Sequence, residues 1–485
     1  MKATAILLIF FMAMFQGAFA QFEGTQYFMN SLPQYVSNNP AFFPRYKFAL
    51  GLPGSMVGVS YSNNGFNYND VTRKENGKRI ATLDRLIDAL PEKTYITGTG
   101  QLDLFRFGLR ITPKAYLSLN STAKSYARGM IPKDAVALLR GNMEYVGKVA
   151  HISPGSEMMV YWENSAGLAL SPTDNLSVGA RIKLLRGFWN ASSGSADISI
   201  AVAENFNTTL AADLNVRTSG LQTEEDFKLS NFSSNSGVAF DLGATYTLFD
   251  KLTVAASLVD IGSIRWKANT YQYTLDKATA NYTFTGVDIN KLLDGNSDYF
   301  ESLSDSVTAN FKPKEGAGAA YSTMLPTKMF ASASYQVMKN FSVGTLFFSE
   351  SFAGRFAAGW TLAANKHFGR FLSTSVSYSI SNRSFNNLGA GLSLNLAPVQ
   401  IYVVGDNLLR LPISVAVNKN MNEYLNSTQV FNFRFGMNFV WGWMQDSGKK
   451  TEDKSFNSKK KGVKTGSDTK KHPTPSHINV RKKKG

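Results

Sequence analysis

The segment Val430 to Trp443 reads VFNFRFGMNFVWGW. Phe431, Phe433, Phe435, Met437, Phe439 and Trp441 fall on one face; Asn432, Arg434, Gly436 and Asn438 fall on the other. Strict alternation over this length predicts one β-strand with an apolar and a polar side. It is long for a soluble domain and suits a tilted membrane-spanning strand, which needs about 9–11 residues. Trp441 and Trp443 end it where an interfacial aromatic girdle would sit. The pattern recurs at Leu176–Leu184, Val238–Leu248, Leu252–Leu258, Phe341–Ser349, Phe356–Ala364, Leu372–Ile380, Leu388–Leu396 and Val399–Val403. Short polar turns such as Asp250-Lys251 and Met338-Lys339-Asn340 separate several of them, which predicts a meander of neighbouring antiparallel strands.

A soluble β-sandwich also alternates, but with shorter strands and an outward face rich in Lys and Glu. Here the polar face carries Gly, Ser, Thr and Asn with scattered Arg and Asp, the chemistry of a barrel lumen. The expected fold is therefore all-β: an antiparallel transmembrane β-barrel of about 14 strands (range 12–16), since such barrels take even numbers. Pro132–Gly147 has Pro at a helix start and predicts a short helical insertion. Residues 286–326 read as a long polar loop with a helical turn, its acids (Asp288, Asp294, Asp298, Glu301, Asp305, Glu315) a solvated patch without calcium-loop spacing.

The ends of the chain set its address. Residues 1–20 combine Lys2, the apolar run Ala5–Phe15 and the small-residue site Ala18-Phe19-Ala20, a secretory signal peptide with cleavage expected after Ala20. Residues 21–45 are too polar to span a membrane and read as a periplasmic lead or an inward plug, with Asn38, Asn39, Pro40 and Ala41 as plug candidates. The barrel is expected over 46–446, with both mature termini in the periplasm because an even strand count returns the chain to its starting side. Residues 447–485 hold thirteen basic and three acidic side chains and too little apolar surface for a core, so a disordered basic tail is expected. That tail accounts for most of the formal +16 of the 485-residue chain. Export argues against nucleic acid as a partner. The tail's candidate partners are lipopolysaccharide, peptidoglycan or a secretion or envelope protein, and the barrel's is outer-membrane lipid.

Zero cysteines exclude disulfides, thiolate zinc sites and a thiol nucleophile, and four histidines make a multi-histidine metal site improbable. His151, near Ser153 and Ser156, reads as a polar loop residue, because a triad draws its members from separate elements. No enzyme activity, cofactor or metal is expected. Arg106, Arg110, Arg181, Lys183, Asp213, Asp241, Arg265, Lys267, Arg355 and Arg434 sit opposite the apolar face of their strands, as does Arg217. A cation on the lipid face at midplane costs about 2–4 kcal/mol, so these are lumen-lining candidates. Cross-strand ion pairing accounts for them without a solute, while their cationic surplus would also favour anion passage.

The stretches Ser37-Asn38-Asn39-Pro40-Ala41-Phe42, Leu258-Val259-Asp260-Ile261-Gly262-Ser263-Ile264-Arg265-Trp266, Met324-Leu325-Pro326-Thr327-Lys328 and Gly405-Asp406-Asn407-Leu408 together span nearly the whole mature chain. They resemble an uncharacterised family of Bacteroidota outer-membrane barrels, distantly similar to fatty-acid-transporter-like and type IX secretion shuttle barrels. The resemblance implies the fold and the outer-membrane address; some relatives carry a fused peptidoglycan-binding domain, which this chain replaces with its basic tail. Two functions stay open: a passive or gated channel for a small or hydrophobic solute, or a non-transporting scaffold that docks partners through the tail.

Overall fold

The computed structural model describes residues 24–66, 71–75, 78–220, 234–286, 305, 307–381, 384–407 and 430–444. The signal peptide, the basic tail and the acids Asp288, Asp294, Asp298 and Glu301 lie outside them.

Fourteen antiparallel strands close into a ring. In chain order these are β1 (Tyr46–Gly51 and Val57–Asn63, one strand interrupted by a turn), β2 (Lys93–Thr112), β3 (Ala115–Pro132), β4 (Gly155–Leu170) and β5 (Leu176–Val202). Then follow β6 (Ser236–Leu248), β7 (Leu252–Trp266), β8 (Thr327–Met338, led in by Tyr321–Met324) and β9 (Phe341–Phe352). The ring finishes with β10 (Arg355–Phe368), β11 (Leu372–Ser381), β12 (Ser384–Leu396), β13 (Val399–Asp406) and β14 (Val430–Trp443). Each strand pairs with its successor, and β14 pairs back onto both halves of β1, with Phe48 opposite Trp441 and Tyr61 opposite Phe431. Closure leaves no sheet edge in the ring, which is what a sheet in hydrocarbon requires.

The alternation of sequence becomes an alternation of environment. Along β14, Asn432, Arg434 and Asn438 are buried inside the ring, whereas Phe435, Met437 and Trp441 are exposed on its outer surface. Leu242, Leu362, Val376 and Ile401 extend the same outward apolar band. The bonded-pair geometry and this band together make the chain a membrane-spanning barrel of outer-membrane type.

All six connections at the end of the ring that also holds Tyr46 and Trp443 are tight turns. The opposite end carries the long connections, together with the two-residue turn Ala353-Gly354. There β5 runs past the ring, and its second half pairs with Thr208–Gly220, which in turn pairs with Tyr271–Leu275 and Asn281–Phe284. The predicted helix within 132–147 is present as Lys133–Ala137 with two 3-10 turns after it. The expected loop over 286–326 instead contains two strands, Lys314–Ala317 and Tyr321–Met324, because their partners Tyr271–Thr274 and Ser263–Trp266 supply a ladder that local composition does not reveal.

An arginine placed at Leu362, midway along β10 and facing out, should cost about 2–4 kcal/mol of stability in a bilayer. Lys267→Leu, beyond the ring, should stay within about 0.5 kcal/mol. Denaturant unfolding from lipid vesicles measures both; equal effects would mean that the apolar band is not the membrane face.

Candidate functional site

Residues 24–45 lie inside the ring, hydrogen-bonded to strands all round it. Thr25 reaches Asp406 on β13 and Ser377 on β11, each at 2.5 Å. Tyr27 meets Ser332 on β8, and Gln34 donates to Asn438 on β14 at 2.9 Å. Gln400 on β13 donates to the Ser31 carbonyl, and Ser257 on β7 donates to the Asn38 carbonyl, both at 2.7 Å. Arg434 donates to Gln26 Oε1 at 2.7 Å. These are neutral or singly charged bonds that a polar segment makes readily, so the segment needs no regular structure beyond short turns.

The candidate plug residues form its turn. Asn39 accepts the Ala41 amide on its side-chain oxygen, an Asx turn, and donates its Nδ2 to the Ala256 carbonyl at 3.2 Å. Pro40 lies against Gly179 of β5, where any Cβ would collide with the Pro40 backbone. The aromatic side chains Tyr27, Phe28 and Phe42 pack on Phe330, Leu346 and Phe348 of the wall, with Tyr27 stacked on Phe330 at 5.5 Å.

Beyond this segment, towards the long-loop end, is a belt of buried charge. Arg106 pairs with Asp103 at 2.7 Å, and Arg181 with Asp241 at 2.9 Å. Lys183 contacts Asp260 at 2.5 Å, Asp241 at 2.9 Å and Glu163 at 3.7 Å; Lys124 contacts Glu163 at 2.6 Å. Arg181 also donates to the carbonyls of Val36 and Ser37, tying the belt to the inner segment. A third layer follows. Arg128 on β3 pairs with Glu350 on β9 at 3.1 Å and lies over Tyr126 and Phe352. The third and ninth strands of a fourteen-strand ring stand nearly opposite, so this pair crosses the lumen. Met159, Tyr161, Leu185, Trp266, Tyr321 and Leu325 form an apolar cluster at that level. Between the layers, among the described residues, lie two adjoining cavities of about 60 and 40 Å³.

Arg106, Arg181, Lys183, Asp241 and Arg434 thus line the lumen, and Arg110 does so through Phe43 and the Pro44 carbonyl. Arg355 sits at the long-loop mouth over Tyr95 at 3.8 Å. Three assignments are corrected. Asp213 is exposed on the extension strand Thr208–Gly220, outside the ring. Arg265 and Lys267 are exposed and face outward, because β6 and β7 slip register between Phe240 and Leu242, and Asp260 takes a positive φ of 63°. Such a bulge reverses the side on which every later residue falls, so Ile264 and Trp266 point inward instead. Arg217 also belongs to the extension, over Tyr321. Sequence reasoning missed Asp103, Lys124, Arg128, Glu163, Asp260 and Glu350. Lys124, Arg128 and Glu163 alternate on well-formed strands and were findable by the same parity rule; Asp103 and Asp260 sit at bulges that hide it. His151 is exposed on the rim, 3.9 Å from Asp197, while Ser153 bonds to Ile198.

A family model described as "Family of unknown function (DUF5723)" matches residues 40–406. The chain belongs to the DUF5723 family. No curated protein matches its sequence. Among solved structures, the Ralstonia pickettii toluene transporter TbuX is 10% identical at a TM-score of 0.39, covering 84% of this chain and 94% of that one. A Pseudomonas aeruginosa FadL homologue is 12% identical at 0.36, covering 88% and 100%. The P. putida toluene transporter TodX is 9% identical at 0.36, covering 87% and 94%. For this DUF5723 protein, likenesses of that size say nothing about a solute.

Gly344 gives a direct handle on the inner segment, since a Cβ there would enter the ring of Phe28. Gly344→Val should cost about 1–3 kcal/mol of local packing and speed amide exchange across residues 24–45, with the ring strands unchanged. Exchange that quickens equally in β9 and β10 would show instead that the substitution damages the wall.

Proposed function

We propose that this protein is a gated outer-membrane channel for a small or hydrophobic solute, closed by residues 24–45. The observation that carries the reading is the filled lumen. The cavities of about 60 and 40 Å³ among the described residues hold only a few waters each, which supports a closed arrangement. The closing segment runs directly into the first wall strand through Arg45–Tyr46, which leaves that junction as its hinge in this reading. Aromatic layers on both sides of the charge belt support a solute with apolar surface, and the belt supports one that also tolerates polar contact.

Short turns face the periplasm in barrels of this type, and that orientation puts the termini and the basic tail there. The tail then faces peptidoglycan and envelope proteins. The same close fill favours a second reading, a scaffold that conducts nothing and docks partners through the tail.

Planar-bilayer conductance of the mature barrel, with and without residues 21–45, separates the two. A channel gives few or no steps in the whole protein and frequent, larger ones after deletion. A deletion variant that folds, judged by circular dichroism and heat-modifiable gel mobility, yet stays silent overturns the channel reading and turns attention to partners captured by residues 447–485.

A further inference from the structure

A groove of about 580 Å³ lies on the outer surface of the ring, across β8 to β11. Ala333, Thr345 and Ala364 leave it hollow, and the longer Tyr335, Leu362 and Tyr378 stand around it, exposed on the outer face. Register produces the hollow: Ala333 pairs with Thr345, and Ala364 sits between Val343 and Val376 on the adjoining strands. Nearly all of its surface is apolar. Thr345 accepts the Trp360 indole N–H at 2.7 Å, and Ser377 turns inward to Thr25. Hydrocarbon meets this face, and an unfilled hollow would forfeit dispersion contacts with its walls. The volume lies within the about 300–1,000 Å³ of sites that hold one small molecule.

A lipid chain is as apolar as the wall, so the groove alone does not select one lipid from a bilayer. Its rim supplies the selection. Lys251, Lys339 and Arg370 are exposed on the three short turns beside the groove, and Lys366 is two residues along β10 from Ala364. The Gln336 amide donates to the Lys251 carbonyl at 2.8 Å, and Lys366 lies opposite Phe341 with its ammonium 5.7 Å from that ring. The cations therefore stand along one arc, and β7 to β10 span only about 14 Å at the usual strand spacing. Asp250 is the one acid on those turns. Phe249, Phe368 and Phe371 are exposed alongside, an aromatic girdle that puts the cations at headgroup depth. A second copy does not suit this face, because a two-fold contact would turn the four cations on their counterparts.

We propose that the groove and its basic rim bind one anionic phospholipid from the leaflet beside the short turns. A chain lies between Tyr335 and Tyr378, and the phosphodiester sits among Lys251, Lys339 and Lys366. The lipid covers the outer side of the wall whose inner side holds Thr25 and Phe28. The site stands whether or not the barrel conducts.

The test reconstitutes the whole mature barrel in phosphatidylcholine vesicles with a rising fraction of phosphatidylglycerol carrying brominated chains, which quench nearby indoles. Trp360 reports on the groove, its signal being the difference between wild type and Trp360→Phe. Half-quenching is expected at a mole fraction about 10-fold or more below that for brominated phosphatidylcholine, a preference that two lysines near the surface suffice to give. Equal fractions for the two lipids overturn the proposal. The triple variant Lys251→Gln, Lys339→Gln, Lys366→Gln should lose most of the preference; the basic tail is common to every sample and cancels. Ala364→Phe fills the groove from the lipid side and should weaken quenching by the anionic lipid. A preference that survives both changes rejects the site. If the lysine variant does not fold, native mass spectrometry of the wild type decides. One retained phosphatidylglycerol, with phosphatidylcholine lost, supports the site; a lipid-free dimer assigns the face to a second copy and overturns it.

Discussion

Hydrogen bonding between the last strand and the first is the contact on which everything else depends. Val430–Trp443 lies between Val399–Asp406 and the interrupted strand that opens the ring, so every ladder finds a partner. Without that seam the sheet would present backbone amides and carbonyls to hydrocarbon, at several kcal/mol for each unmet group. With it, the outward side chains need only be apolar, and the inward ones inherit a different problem. A ring of eight strands is filled by its own side chains, whereas fourteen enclose more space than the wall can occupy.

The chain answers that problem with a mixture of materials. At the short-turn end the space is taken by residues 24–45, whose hydroxyl, amide and carbonyl groups meet Ser377, Asn438, Gln400 and Ser257 of the wall. At mid-height it is taken by ion pairs, and at the far end by aromatic side chains with Arg128–Glu350 spanning the lumen. Buried ion pairs are weak stabilisers compared with well-packed apolar groups, but removing one partner strands the other, typically at about 3–5 kcal/mol. The belt therefore holds wall strands β2 to β7 in a single arrangement more than it strengthens them. Glycines such as Gly179 and Gly344 belong to the same economy of space: side chains there would occupy the volume that Pro40 and Phe28 use.

What the sequence made legible follows from locality. The alternation of Phe431, Phe433 and Phe435 with Asn432 and Arg434 is a property of one strand, and it reports which face is apolar before any partner is known. The same rule placed Arg106, Arg181, Lys183 and Asp241 in the lumen. It went wrong at Arg265 and Lys267 because parity survives only as far as the next bulge, and Asp260 carries that bulge through a backbone conformation that its residue type does not announce. It went wrong at Asp213 because a polar strand outside the ring alternates as well as one within it. The choice between lead and plug for residues 21–45 was beyond local reading altogether. The bonds of Thr25, Gln34 and Asn39 join residues hundreds of positions away, and no period in the segment itself encodes them.

The composition of the inner segment also decides how its hold on the wall responds to solution conditions. Its one formal charge is Arg45, and the wall cations Arg181 and Arg434 meet it through carbonyls and an amide instead of carboxylates. An interface of that kind has little Coulomb attraction for bulk salt to screen, and its aromatic contacts strengthen, if anything, in salts excluded from protein surfaces. Ionic strength alone is therefore a weak lever on closure. Indifference of closure to total salt concentration is the signature that this division of charge imposes on the barrel.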